Sequence, residues 1–158
     1  MTDVHSQPTA PFAGPSENGD PRVADVRMRL NVAHAASATP PPKAAAKLVS
    51  QNKLYVRERI ALLFDEGSFV EDGRFANAMS GGLPADGVVT GRGTVDGRPA
   101  IVAANDPTVQ AGSWGARTVE KIIRAHELAL RAALPTFWVF DSAGARTTAH
   151  VTLFPARP

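Results

Sequence analysis

LPTFWVFDSAGAR, residues Leu134 to Arg146, is the stretch whose reading decides the fold. Phe137, Trp138, Val139 and Phe140 form a short, continuously apolar, β-forming run, which predicts a strand buried on both faces in a parallel sheet. The run ends at Asp141, and Ser142-Ala143-Gly144-Ala145 is nearly free of side chains. A ligand carbonyl could therefore approach the backbone closely and meet its N–H groups. Such a turn can hold an oxyanion, and it is equally an ordinary strand-to-helix turn.

Upstream of that strand the periodicity predicts a helix from about Ala116 to Leu134, stopped by Pro135. Its apolar face reads as Val119, Ile122, Ile123, His126, Leu130 and Ala133, which makes His126 a packed or partly exposed helix residue and not a catalytic base. The helix is entered from a small-residue loop, VQAGSWG, over Val109 to Gly115. Further upstream, Gly87–Thr94 and Arg98–Ala104 are β-rich runs joined through Val95-Asp96-Gly97, and Asp-Gly supplies the positive φ angles of a tight hairpin. The order hairpin, loop, helix, strand, turn defines an α/β protein.

The segment from Lys43 to Phe64 reads as helical, with Asn52 as a cap and Val56, Ile60, Leu63 and Phe64 as its stripe. Lys43, Lys47, Lys53, Arg57 and Arg59 give it a positive excess, which fits either a solvated face or contacts to the phosphates of a nucleotide-like ligand. Asp65-Glu66-Gly67-Ser68 ends the helix, Phe69-Val70-Glu71 reads as a brief strand, and Ser80 to Pro84 as loop. Thr39-Pro40-Pro41-Pro42 marks a linker. Before it, Val23, Val26 and Leu30 predict a short amphipathic helix over Val23–Ala36 with solvated arginines, and Met1 to Asp20 is expected to be disordered. The expected organisation is thus a disordered or partly helical tail over residues 1–42, carrying seven of the 13 prolines, and an incomplete domain over 43–158.

Composition narrows the function classes. With 158 residues, 44% of them hydrophobic, one core and a tail is the expectation. A formal charge of +2, one Tyr and two Trp offer no basic surface interleaved with aromatics, so nucleic-acid binding is not expected. Cysteine is absent and His5, His34, His126 and His150 lack ligand spacing, so no metal site is expected. No run has signal or membrane-span length, and a cytoplasmic protein without membrane partners is the expectation.

KLYVRERIALLFDEGSFVE, then DGVVTGRGTVDGRPAIVAANDPTVQAGSWGARTVEKIIRAHELAL, then LPTFWVFDSAGAR together resemble the N-terminal part of the carboxyltransferase β subunit of biotin-dependent acyl-CoA carboxylases. These are the acetyl-, propionyl- and methylcrotonoyl-CoA carboxylases, and the resemblance runs in order from Lys43 to Arg146. It implies a partial crotonase-like (ClpP/crotonase) fold, a β-β-α superhelix, and transfer of carboxylate from carboxybiotin to the α-carbon of an acyl-CoA. It also implies backbone amides that stabilise the enolate. On this chain those fall at Ala143-Gly144-Ala145, at the start of a helix, and at Gly112 within Ala111-Gly112-Ser113. Lys121, one helical turn beyond that loop, or a Lys or Arg of the basic Lys43–Phe64 segment is the candidate for the CoA phosphates, with Ala111 and Ser113 lining the ligand. Carboxybiotin on a carrier protein and acyl-CoA are the implied substrates, with no covalently bound cofactor. The implied partners are a biotin carboxylase and biotin carrier subunit and further copies of the chain.

This sequence departs from the family pattern at Tyr55, where Thr is usual, at Ala111 and Ala143, where Gly is common, and at Thr147-Thr148-Ala149-His150 before Leu153-Phe154-Pro155-Ala156. Backbone donors survive Gly-to-Ala changes. Full-length subunits continue into a second crotonase-like domain, so the chain reads as a truncated N-terminal piece. Two alternatives stay open: an inactive remnant or interaction module that at most binds CoA, and a relative of the biotin-dependent acyl-CoA decarboxylases.

Overall fold

The computed structural model describes residues 20–77 and 84–146. Expectations that fall on residues 1–19, 78–83 and 147–158, including the disordered start, part of the Ser80–Pro84 loop and the stretch beyond Arg146, lie outside the described residues. Helix α1 spans Pro21–Ala38, begun by Asp20, whose carboxylate accepts the Arg22 amide at 2.8 Å, with Pro21 in the first turn where its missing N–H costs nothing. Within α1 only Ser37 is buried. Val23, Val26 and Leu30, the expected apolar stripe, are all exposed.

The helical stretch expected from Lys43 to Phe64 is two helices, α2 over Pro42–Ser50 and α3 over Val56–Leu63. Asn52 does not cap the second. It sits at φ 53° just past α2, where the Gln51 and Lys53 amides both close on the Leu48 carbonyl, a left-handed ending that asparagine tolerates. The residue preceding α3 is Tyr55, whose backbone amide donates to Glu58 Oε2 at 2.8 Å.

Strands β1 (Val70–Asp72), β2 (Val88–Val95), β3 (Arg98–Asn105) and β4 (Thr136–Val139) form one sheet in that order. The first three are antiparallel neighbours and β4 is parallel to β3. The expected hairpin joins β2 to β3, with Asp96 at φ 49° and Gly97 at φ 73° between the paired Val95 and Arg98. Asp65 closes it from outside: its carboxylate accepts the Asp96 amide at 3.0 Å, the Gly97 amide at 2.9 Å and the Thr94 hydroxyl. The Thr94 hydrogen bond, with those two amides, holds the Asp65 carboxyl below its usual range.

Side-chain alternation along β3 divides the core. Ala100, Val102 and Ala104 pack with Val56, Ile60 and Phe64 of the α3 side, whereas Ile101 packs with Ala125 and Ala129 of helix α4 (Ala116–Ala132) on the other. The buried face of α4 is Thr118, Lys121, Ile122, Ala125 and Ala129. That is a rotation from the expected face, since Ile123 and Leu130 are exposed, Leu130 to 83%. The small residues Ala125 and Ala129 face the sheet because they let helix and strands approach closely.

Strand β4 is parallel, as expected, but not buried on both faces. It is the last strand among the described residues, and Phe137 and Phe140 are 38% and 59% exposed. Only Val139 reaches the α3-side core. No described helix is long and apolar enough to cross a membrane.

Candidate functional site

The two loops singled out in the sequence lie side by side. The turn following β4 and the loop preceding α4 run parallel for a single bridge, Trp114 to Ala145. Three main-chain bonds join them: Ala143 N–H to the Ala111 carbonyl at 3.0 Å, Trp114 N–H to Gly144 at 2.9 Å, and Arg146 N–H to Trp114 at 2.9 Å. Gly112 is where they touch most closely. Its φ is 66°, and a Cβ there would overlap the Asp141 carbonyl oxygen. Gln110, Ala111 and Gly112 are successive left-handed residues, a curl that turns the loop's carbonyls and amides onto one another.

That curl and the loop pairing also occupy amides expected as ligand donors. Gly112 N–H goes to Val109, Ser113 N–H to Gln110, Ala143 N–H to Ala111 and Gly144 N–H to Ser142 Oγ at 3.1 Å. The Ala145 amide meets no acceptor among the described residues. Gly144, at φ 98°, has open space where a side chain would stand, so a ligand could approach its backbone closely.

Lys121 is not with these loops. It is 5% exposed, its Nζ donates to the Val88 carbonyl, and burial pulls its pKa from 10.5 to about 8, with Glu71 and Asp86 acting in the opposite direction. The expectation of a surface cation near the small-residue loop fails because the inner face of α4 is rotated to include position 121. Two other cations do stand at the turn. Lys53 holds both Asp141 oxygens, at 2.9 and 3.0 Å, and Arg59 lies 4.0 Å from the same carboxylate. With Leu54 and Phe140 they line an open depression of about 390 Å³ beside Ser142. Arg57 turns inward instead, forming a two-pronged pair with Glu71 at 2.6 and 3.0 Å.

An aromatic wall backs the turn. Trp138 stacks on Phe140 with centroids 4.9 Å apart, Trp114 lies 6.4 Å from each, and the Trp114 indole N–H is buried with no acceptor among the described residues. His126 accepts the Trp138 indole N–H at 3.1 Å, while its other ring nitrogen meets the Ile122 carbonyl at 2.9 Å. Both nitrogens are thus engaged, one by the Trp138 indole and the other by the carbonyl one turn back on α4.

Sequence reasoning missed Asp86, a buried carboxylate at φ 48°, which accepts the Thr118 amide at 2.9 Å and the Arg146 guanidinium at 2.7 Å. Pro84-Ala85-Asp86-Gly87 signals only a turn; nothing in its spacing points to a helix start more than two dozen residues on.

A mixed sheet whose parallel strand ends in a side-chain-poor turn thus sets that turn beside a second such loop. Residues 47–154 match the carboxyl transferase domain, and the chain belongs to that family. It is 55% identical over 107 residues to the uncharacterized carboxylase YngE of Bacillus subtilis, covering 68% of this chain and 21% of that protein. To the biotin-dependent 3-methylcrotonyl-coenzyme A carboxylase beta1 subunit of Mycobacterium tuberculosis it is 38% identical over 148 residues, 87% of this chain and 27% of that one. Among solved structures, transcarboxylase 12S with hydrolyzed methylmalonyl-coenzyme A bound superimposes with a TM-score of 0.74 at 34% identity, over 84% of this chain and 28% of its own. The crotonase-like carboxyltransferase fold is therefore shared, and the chain spans about a quarter of the length of the proteins it matches.

Proposed function

We propose that this chain carries part of the acyl-CoA site of a biotin-dependent carboxyltransferase. In that reaction the N–C bond of carboxybiotin breaks, the ureido nitrogen it leaves takes the α-proton of the acyl-CoA, the thioester oxygen holds the enolate charge so formed, and the α-carbon then bonds to the released carboxyl carbon. One observation carries the reading: the loops Ala111–Ser113 and Ala143–Ala145 are hydrogen-bonded side by side, with open space at Gly144 and an Ala145 amide that meets no acceptor among the described residues. Fixed amides of this kind stabilise developing negative charge because they need no reorganisation when it forms. Lys53 and Arg59 beside the turn fit the CoA phosphates better than Lys121 does, being at the surface where a polyanion can reach them.

The substrates are acetyl- or propionyl-type acyl-CoA and carboxybiotin on its carrier, the partners are a biotin carboxylase subunit and further copies of the chain, and the compartment is the cytoplasm. The same loops serve the decarboxylating direction, since one enolate lies on both paths.

Calorimetry with acetyl-CoA and CoA tests the reading. Acetyl-CoA should bind more tightly than CoA, and Gly144→Pro should remove the difference, because proline fixes φ near −65° where the turn needs a positive value. No heat from either ligand at millimolar concentration would sink the proposal in favour of an inert remnant.

A further inference from the structure

Resting on the acyl-CoA reading of the two loops, we infer that Arg146, clamped by Asp86, is the positioning residue that sets their separation, and so decides whether the site discriminates a thioester from free CoA.

The guanidinium is the point where three segments of chain meet. Nη1 pairs with Asp86 Oδ1 at 2.7 Å, Nη2 donates to the Ser113 carbonyl at 3.0 Å, and Nε donates to Ser113 Oγ at 3.3 Å. The same residue's backbone amide closes the bridge to Trp114. Room for it exists because Gly115 lacks a side chain: a Cβ there would overlap Nη1. Asp86 is itself immobilised, its Oδ2 on the Thr118 amide in the first turn of α4, and its carbonyl accepting the Thr118 hydroxyl at 2.6 Å. A continuous path of bonds thus runs from the rigid start of α4 through Asp86 and Arg146 to Ser113, the last residue of one loop, while Arg146 closes the other.

Two considerations make this a positioning device and not only a stabilising pair. The side chains are 1% and 14% exposed, and buried ion pairs contribute little net stability because desolvation offsets attraction, whereas they fix geometry strictly. Arginine is also required by shape. Its planar fork reaches Asp86 and Ser113 together, which the single ammonium of lysine cannot do.

The test uses the full 158-residue chain with Arg146→Lys and Arg146→Gln. Amide hydrogen exchange is followed at Trp114, Ala143 and position 146, the three inter-loop donors, against Ala125 and Ala129 of α4. Calorimetry with acetyl-CoA and CoA runs in parallel. In Arg146→Lys the three inter-loop amides should exchange at least tenfold faster, the α4 amides should stay within twofold, and acetyl-CoA should lose its preference while CoA affinity stays within twofold. Inter-loop protection unchanged in both variants would overturn the inference. So would loss of protection in α4 to the same extent in both, which would mark Arg146 as a general stabiliser. If the parent chain shows no preference for acetyl-CoA, the functional reading fails, and the exchange data still decide whether Arg146 spaces the loops.

Discussion

Replacing Lys121 by Met should remove most of the protein's stability gain in mild alkali. The ammonium lies on the inner face of α4 beneath Gly73, whose missing Cβ would stand 3.0 Å from Lys121 Cε. Burial is the largest influence on its pKa, followed by Glu71, and the result is a fall from 10.5 to about 8. That displacement corresponds to about 3 kcal/mol of unfavourable free energy for holding the charged form in the folded state. Proton counting gives the sign. Below pH 8 both folded and unfolded chains hold the proton and the folded state carries the full penalty. Between pH 8 and about 10.4 the unfolded lysine keeps its proton and the folded one releases it, so stability rises with pH and levels off above that window. Tyr55, pushed up to about 12 by burial and then by Asp106, works against this only above about pH 10, its ordinary value. Urea unfolding at pH 7.5, 8.5, 9.5 and 10 should show the parent gaining most of that about 3 kcal/mol by pH 10, and Lys121→Met nearly flat. Equal slopes for the two proteins would refute the reasoning.

Gly112→Ala should cost about 2–5 kcal/mol, because it combines a left-handed φ with overlap against the Asp141 carbonyl, and thermal unfolding reads the loss. Gly97→Ala, also left-handed but facing open space, should cost only about 1 kcal/mol in the same assay, separating backbone strain from steric overlap. Limited proteolysis should cut within α1 before α4, since α1 buries Ser37 alone; first cleavage between Thr118 and Ala129 would contradict the burial pattern. Glu71→Gln should destabilise by about 3–5 kcal/mol by leaving the Arg57 charge without its carboxylate, measured as a lower urea midpoint.

How much of this was legible beforehand varies with the range of the interaction concerned. Asp96-Gly97 announced the hairpin because the φ angles a tight turn needs are a property of those two residues. Pro135 and the apolar run after it announced a strand for similarly local reasons, whereas the burial on both faces expected of that run did not hold. Val56, Ile60 and Phe64 were found at their helical spacing because α3 has one buried face with no competing one. On α4 the same method failed: Ile123 and Leu130 look like core residues, and small Ala125 and Ala129 do not, yet contact distance to Ile101 and not hydrophobicity chose the inward face. Asn52 shows the limit at element boundaries, since one asparagine satisfies the requirements of a helix start and of a left-handed helix end.

The sequence by itself determined the local geometry and the family: turns, strand and helix identities, and the small-residue character of the two loops, each set by residues within a few positions of one another. Only the tertiary structure decided that those loops bond to each other, that Arg146 meets Asp86 across 60 positions, that Lys121 is buried and that Lys53 and Arg59 stand at the turn. Such contacts depend on how sheet and helices pack in three dimensions, and a charged side chain carries no mark of which distant partner will neutralise it.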